Sequence, residues 1–533
     1  MGKLSIVAGM APSNPCLDAS QTNSALQMQV FKMTLDTKRT NRVASAVTFF
    51  TTPRNAPFIR AGLVGTGAAD IVELPFPSED APQSTDELPS LTHLVDFVSV
   101  VAALGPAFAD ALTALEPRPD MLVHDGFIVW AKDVADKLGM PLLITLGIGG
   151  FTLYVYGAVM THKPQALLSS PTEPFPVPAL PDLCITMADL GRPFDVPEPA
   201  GPHWYFVCES CNNMYSSRGI IANSFSELES VYIDLWNKNR GFDIKMWPIG
   251  PLCLAVPKPA VQSKDDREIS DWLDSRLAMD RPVLYVAFGS QAELSRAQLE
   301  EIAVGLDHSG VDFLWVVRSK WFDKGIGFPR KNPCALVSRF ISLLSNNDRF
   351  GDRGKVVGGF INQLGVLGHK SVKGFFTHCG WNSVLESITM GVPILAFPMA
   401  AEQKLNTKFV VDVIHMGLRV WLTGDADKEG GGLVVCGDVQ VLARELIFGE
   451  EGRHAAARAS ELFVSSRKAM EVGGSSCENL AKMVQEVCVM PMMRLYLPRV
   501  EARLRGITAL WYCRKKGYLH TIPCNEQERD NES

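Results

Sequence analysis

The residues best suited to chemistry fall in one short stretch, Gly374-Phe375-Phe376-Thr377-His378-Cys379-Gly380-Trp381-Asn382-Ser383-Val384-Leu385-Glu386. An apolar run ends at Thr377, a glycine turn follows at Gly380, and Val384, Leu385 and Ile388 then recur at helical spacing. The predicted helix begins around Asn382 and Ser383. Its first amide N–H groups lack intrahelical acceptors and stand at the positive end of the helix dipole. Such an end suits an anion, phosphate above all. His378, Asn382 and Ser383 would add side-chain donors, and Glu386, one turn on, a carboxylate for the hydroxyls of a ribose. Gly289-Ser290 offers a second glycine turn for the same phosphates. Glu402 and Gln403 carry acceptor and amide groups suited to a hexose. Each element alone has an ordinary explanation, since Asn-Ser is a common helix cap and Glu402 and Gln403 could simply start a solvated helix. Together, in one order, they favour a ligand-binding reading.

These groups need a frame. Apolar runs read as strands at 47–50, 121–123, 142–144, 220–222, 283–288, 313–317, 374–377 and 393–397, with almost no polar alternation. Strands buried on both faces have that pattern. Helical patterns lie between them. One opens with the capping box Ser295-Arg296-Ala297-Gln298 and places Leu299, Ile302, Ala303 and Leu306 on one face. Alternating strands and helices imply an α/β fold with parallel sheets. Trp247-Pro248-Ile249-Gly250-Pro251 reads as a linker, so the expectation is two doubly wound, Rossmann-like domains facing across a cleft. The boundaries are an atypical segment 1–42, a domain 43–250, a second domain 251–489 and a basic tail 490–533.

The chain has 533 residues, 47% hydrophobic and 20% charged, which fits a globular protein rather than a disordered one. With 51 basic and 58 acidic residues, net −7, it lacks the basic balance of a nucleic-acid binder. No unbroken apolar run is long enough to span a bilayer, and Leu4 to Met10 reads as a strand rather than a leader. Among 12 cysteines only Cys208 and Cys211 form a close pair, with His203 near and no second pair at zinc-site spacing. Reduced cysteines of a cytoplasmic protein are the expectation.

The stretch from Phe360 to Gln403 resembles the signature box of plant UDP-dependent glycosyltransferases acting on small secondary metabolites. His378-Cys379-Gly380-Trp381-Asn382-Ser383, Glu386, Gly391-Val392-Pro393 and Glu402-Gln403 match its pattern. Thr51-Thr52-Pro53, Asp125 with Asp133-Val134-Ala135, Ile220 to Phe225, Trp247 to Pro251 and Phe288-Gly289-Ser290 resemble further landmarks of the family. The resemblance implies the GT-B fold and an inverting transfer without a metal, from UDP-glucose as first choice, to a hydroxyl of a small phenolic or flavonoid acceptor. It implies that Phe360, in place of the usual tryptophan, stacks on uracil and Gln363 binds its edge. His378, Asn382, Ser383 and Ser290 would hold the diphosphate with Trp381 contributing main chain, Glu386 the ribose, and Glu402 and Gln403 the sugar. No nucleic-acid or membrane partner is implied, and a monomer is expected.

The transfer needs a base for the acceptor proton and stabilisation of the departing UDP. In the resembling family the base is a histidine after the first strand, oriented by an aspartate that Asp125 matches. Here no histidine precedes His93, and Ala11-Pro12-Ser13-Asn14-Pro15 follows the first strand. His93 and His124 are the substitutes: His124 and Asp125 are strand neighbours that point to opposite faces, so at most one faces the cleft, and His93 is the better stand-in because the resemblance places its segment along the acceptor pocket. The alternative is a catalytically impaired UDP-sugar-binding protein. Residues 324–347 read as an insertion. With segment 1–42 and the tail, in which Arg494, Arg499, Arg503, Arg505, Arg514, Lys515 and Lys516 lie among apolar residues, they suggest an unusual gene structure.

Overall fold

The computed structural model describes residues 3–7, 46–63, 69–78, 81–88, 93–238, 244–255, 264–289, 292, 294–317, 350–359, 361–421 and 433–489. Phe360, Ser290, the tail 490–533, the apparent insertion 324–347 and most of segment 1–42 lie outside them. Residues Met1–Cys488 form one compact unit built on two parallel sheets.

The first sheet uses β1 (Lys3–Val7), β2 (Ala46–Thr51), β3 (Ala69–Glu73), β4 (Met121–Asp125), β5 (Leu142–Leu146), β8 (Gly219–Ala222) and β9 (Lys245–Pro248), in the order β3-β2-β1-β4-β5-β8-β9. The expected strand at the start of the chain is therefore real, and it lies between β2 and β4. A hairpin of β6 (Phe175–Val177) and β7 (Leu180–Ile185) stands apart. The second sheet uses β10 (Val283–Ala287), β11 (Asp312–Val317), β12 (Gly354–Gly358), β13 (Val372–Thr377), β14 (Ile394–Ala396) and β15 (Gly417–Arg419), in the order β12-β11-β10-β13-β14-β15. Both sheets start with the 3-2-1-4-5-6 order of a doubly wound fold. Its ligands lie beyond the carboxyl ends of the strands, where the order reverses. Those points are the ends of β1 and β4 in the first sheet and of β10 and β13 in the second.

Among the described residues the helices of the first half are α1 (Ala56–Gly62), α2 (Leu94–Val101), α3 (Gly105–Thr113), α4 (Trp130–Lys137), α5 (Gly150–His162), α6 (Pro202–Tyr215) and α7 (Ser226–Lys238). Those of the second are α8 (Lys264–Ala278), α9 (Arg296–Ser309), α10 (Gln363–Leu367), α11 (Trp381–Met390), α12 (Gln403–Lys408), α13 (Cys436–Phe448), α14 (Glu450–Ala469) and α15 (Ser475–Val489). The stretch 94–113 has the length and hydropathy of a membrane span. In this fold it packs Phe97, Val101, Leu104, Phe108 and Leu112 onto Phe50, Leu122 and Ile128.

The all-apolar runs are buried as expected, with every residue of β10 and β11 in the core. The capping box is half formed. Ser295 accepts from the Gln298 amide at 3.2 Å, but the Gln298 side chain turns to both main-chain groups of Val434. Trp247 and Pro248, read as linker, instead close the edge strand β9, a place where a proline is tolerated. Helix α15, the last of the described helices, packs Cys477, Leu480, Met483 and Val487 against Val47, Phe49, Met121 and Leu143 of the first sheet.

Candidate donor site

The end of β13 and the start of α11 form the loop His378-Cys379-Gly380. Helix α11 begins at Trp381, one residue before the expected start, with Gly380 as an N-cap that has no side chain to bond its amides. The first amide with an intrahelical partner is that of Val384, which donates to the Gly380 carbonyl at 3.1 Å. Cys379 has a φ of +61°, rare for a residue with a Cβ. Its carbonyl accepts from Asn406 Nδ2 at 3.0 Å, which holds that turn from α12. Burial pushes the Cys379 thiol up to about 12, so it is an inert core group.

His378 lies at the switch point of the second sheet. Its Nδ1 is 3.3 Å from Thr377 Oγ1, and its ring fits between two glycines. A Cβ at Gly289 or at Gly380 would come within 2.6 Å of His378 Nε2. Gly289 also has a φ of +76°, so both its space and its backbone exclude a side chain. The turn after β10 and the turn after β13 thus meet over one imidazole.

Glu386 is fully buried one turn into α11. Its Oε2 accepts from Gln363 Nε2 at 2.6 Å, and Gln363 Oε1 accepts from the Tyr285 hydroxyl at 3.1 Å. Gln363 Nε2 also lies 3.4 Å from the buried Ser383 Oγ. The structure therefore brings Gln363, Ser383 and Glu386 together, with the Gln363 amide engaged by its protein neighbours.

Glu402 and Gln403 open α12. Gln403 Oε1 accepts from the amides of Met399 and Ala400, both at 2.9 Å, which leaves its Nε2 to donate elsewhere. The Glu402 carboxyl is raised by burial, partly offset by hydrogen bonds from Asn406 and from the Trp381 amide at the start of α11. Asn406 Nδ2 lies 3.3 Å from Glu402 Oε1. Burial, and next the charge of Glu402, drive the Tyr156 phenol above its ordinary value.

Two further residues join the two halves here, and a third, Glu229, braces the first half beside them. Thr152 Oγ1 on α5 donates to Asn406 Oδ1 at 2.9 Å. Asn223, just after β8, donates from Nδ2 to Asn382 Oδ1 at 3.2 Å, and its carbonyl accepts from Trp381 Nε1 at 2.8 Å. Glu229 interrupts α7 with a non-helical φ of −130° and caps α5, accepting from the amides of Gly150 and Phe151. Burial raises its carboxyl, and those hydrogen bonds counter the shift. Phe409 completes the junction, its ring packing on Phe151 of α5 and on Trp381. Asn223 sits inside a landmark of the resemblance, but its spacing gives no sign of this role.

On the first sheet Asp125 ends β4 at the switch point, and its Oδ1 accepts from the Phe127 amide at 2.8 Å. His93 stands exposed at the N-cap of α2 without bonding that helix by its side chain. His124 is fully buried, and burial pulls its pKa down to about 4, a main-chain hydrogen bond at Asp125 offsetting only part of that. A neutral core imidazole of that kind has no access to an acceptor, which removes His124 as a substitute base. Cys208 and Cys211 lie one turn apart on α6, with burial pushing their thiols up to about 11 and about 12. Among the described residues no group of three His, Cys, Asp or Glu side chains is arranged to hold a metal ion.

The sequence profile of the UDP-glucoronosyl and UDP-glucosyl transferase family matches residues 261–420. UDP-glycosyltransferase 90A1 of Arabidopsis thaliana is 37% identical over 453 residues, which cover 83% of this chain and 89% of that protein. A UDP-glucose flavonoid 3-O-glucosyltransferase of Fragaria ananassa is 33% identical over 469 residues, covering 83% and 90%. The crystal structure of Glycyrrhiza uralensis UGT73P12, complexed with glycyrrhetinic acid 3-O-monoglucuronide, superposes with a TM-score of 0.75 at 26% identity, covering 97% of this chain and all of that one. Medicago truncatula UGT71G1, complexed with UDP-glucose, shares the fold with a TM-score of 0.70 at 24% identity, covering 91% and 98%. With two parallel sheets of the GT-B fold and similarity of this extent, the chain belongs to the plant UDP-glycosyltransferases of small secondary metabolites.

Proposed function

We propose that the protein transfers glucose from UDP-glucose to a hydroxyl of a small phenolic or flavonoid acceptor, with inversion and without a metal, as a cytoplasmic monomer. The observation that carries this reading is the amino end of α11. Its N-cap is a glycine, the Glu402 carboxyl takes only the Trp381 amide from it, and this helix end stands beside His378 and Gly289 at the switch point of the second sheet. The amides of Asn382 and Ser383 and the side chains of His378, Asn382 and Ser383 would hold the diphosphate, with Trp381 contributing main chain. Donors fixed before the reaction are worth most as the phosphate gains charge on leaving. Glu386 would accept from the ribose, and Glu402 and the Nε2 of Gln403 would meet the hexose. Gln363, with Phe360 and Ser290 outside the described residues, completes the proposed set.

For the acceptor proton we assign His93 as base and Asp125 as the carboxylate that orients or stabilises it. Asp125 sits at the carboxyl end of β4, where a doubly wound sheet presents its ligand groups. The burial of His124 leaves His93 as the remaining substitute from the sequence, and this also motivates the second reading, a UDP-sugar binder without turnover. Incubation with UDP-glucose and a panel of phenols, following UDP release and glucoside beside UDP-glucose binding, separates the two. Turnover that falls in Asp125→Ala and in His93→Gln supports the enzyme, and binding with no product supports the binder. Turnover unaffected in His93→Gln removes that base. A Gln403 variant with an unchanged ranking of UDP-glucose against UDP-galactose shows that this residue does not read the sugar.

A further inference from the structure

Asn223 belongs to the first sheet's side of the molecule, yet it bonds two other segments at once, the chain at Leu252 and the first turn of α11. It is buried, 4% exposed, immediately after β8. Its Oδ1 accepts from the Leu252 amide at 2.9 Å, its Nδ2 donates to Asn382 Oδ1 at 3.2 Å, and its carbonyl accepts from the Trp381 indole. A Cβ at Gly250 would lie 2.5 Å from Asn223 Oδ1, so the chain passes too closely there for any residue but glycine.

The polarity of this arrangement is not reversible. A main-chain N–H only donates, so Leu252 decides which end of the Asn223 amide is oxygen. The Nδ2 end then faces Asn382, and Asn382 must answer with its oxygen. That leaves both N–H groups of Asn382 Nδ2 without a partner among the described residues, on a half-exposed side chain in the first turn of α11.

We propose that Asn223 is a positioning residue for the donor site. It fixes the Asn382 amide with its N–H groups available to the diphosphate, and so makes donor affinity depend on a residue of the opposite lobe. The inference rests on the reading of Asn382 as a diphosphate ligand.

The test measures binding of UDP and of uridine, which lacks the diphosphate, to the full chain by calorimetry. Asn223→Asp keeps the acceptor for Leu252 but turns an oxygen toward Asn382. The Asn382 amide must then rotate to donate inward, presenting its oxygen to the phosphates. UDP affinity should fall by about tenfold or more, the scale of one lost hydrogen bond to a charged group, while uridine changes by less than about twofold. Asn223→Ala, which frees Asn382 to turn either way, should fall between parent and Asp for UDP. That ranking is readable even where both variants melt lower, provided binding is measured well below their transitions. In an Asn382→Ala background the Asp substitution should have little further effect on UDP. Equal losses for UDP and uridine, an Ala variant weaker than Asp, or an undiminished Asp effect without Asn382 each overturn the proposal. Should Asn382→Ala alone leave UDP affinity unchanged, the donor reading itself fails. If it weakens UDP while the Asn223 variants do not, only the positioning role fails.

Discussion

Glu386→Gln isolates what a buried carboxylate contributes to ribose recognition. Glu386 is fully buried and one oxygen is held by Gln363 Nε2 at 2.6 Å. Truncation to alanine would open a cavity and strand the Gln363 amide, mixing folding with binding. Glutamine keeps the volume. Because Gln363 presents a donor, the new amide must turn its oxygen to it and its NH2 toward the ribose. A ribose hydroxyl can still accept from that NH2, so one hydrogen bond survives, but the charge does not. Hydrogen bonds to charged groups contribute about 1.5–3 kcal/mol and neutral ones about 0.5–1.5, so the expected loss is about 1–1.5 kcal/mol. That corresponds to UDP binding weakened roughly 5- to 13-fold. Calorimetric titration with UDP and with 2′-deoxy-UDP gives the comparison, with the difference between proteins shrinking for the deoxy ligand. An unchanged UDP affinity, or an equal loss for both ligands, refutes the assignment of Glu386 to the ribose.

Gly289→Ala meets two obstacles, a φ of +76° and a contact of 2.6 Å with His378 Nε2. The backbone alone costs about 1–2 kcal/mol, and the displaced imidazole should raise the KM for UDP-glucose about tenfold with little change in that for the acceptor; steady-state kinetics checks both. Thr152→Val leaves the buried Asn406 Oδ1 without its donor, a cost of about 1–3 kcal/mol. Melting should fall in Val and recover in Thr152→Ser, and equal melting of Val and parent discounts the bond. The folded pKa of His124 is depressed to about 4 from 6.5. The unfolded chain therefore binds the extra proton between those values, and the contribution, about 3 kcal/mol at most, is full above pH 6.5 and lost as pH falls toward 4. Urea titrations across that window should show a shallower pH dependence in His124→Gln; an unchanged slope places the titration elsewhere.

What the sequence made legible follows from how strongly each element is buried. Strands such as β10 and β11, buried at every residue, stand out as apolar runs. β12, half-buried until its exposed last residue and with a glycine at each end, and β15, three residues long, leave no run to read. Trp247 and Pro248 carry the composition of a linker because an edge strand accepts a proline. The apolar spacing of Cys477, Leu480, Met483 and Val487 marks α15 as amphipathic, but no local pattern says that it covers the first sheet. The amino end of α11 was readable because its chemistry is local. The bond from Asn223 to Asn382 spans 159 residues and joins two asparagines that each have an ordinary local explanation.

Side-chain amides around the cleft share one logic. Gln403 is oriented by the amides of Met399 and Ala400, Asn406 by the Cys379 carbonyl, and Asn223 by the Leu252 amide. In each case a main-chain group that cannot change roles fixes which end of the amide is nitrogen. For Gln403 and, through Asn223, for Asn382, the nitrogen is left to donate outward. A site that must receive a departing diphosphate gains from donors that need no reorientation as charge develops. Gln403 and Asn406 follow β14, Asn382 follows β13 and Asn223 follows β8 in the opposite lobe, so their polarity is a property of the paired sheets. Separating the sheets would release Asn382 from Asn223 and Asn406 from Thr152 together. With the diphosphate placed as proposed, variants at the junction should therefore alter donor affinity and the contact between the lobes together.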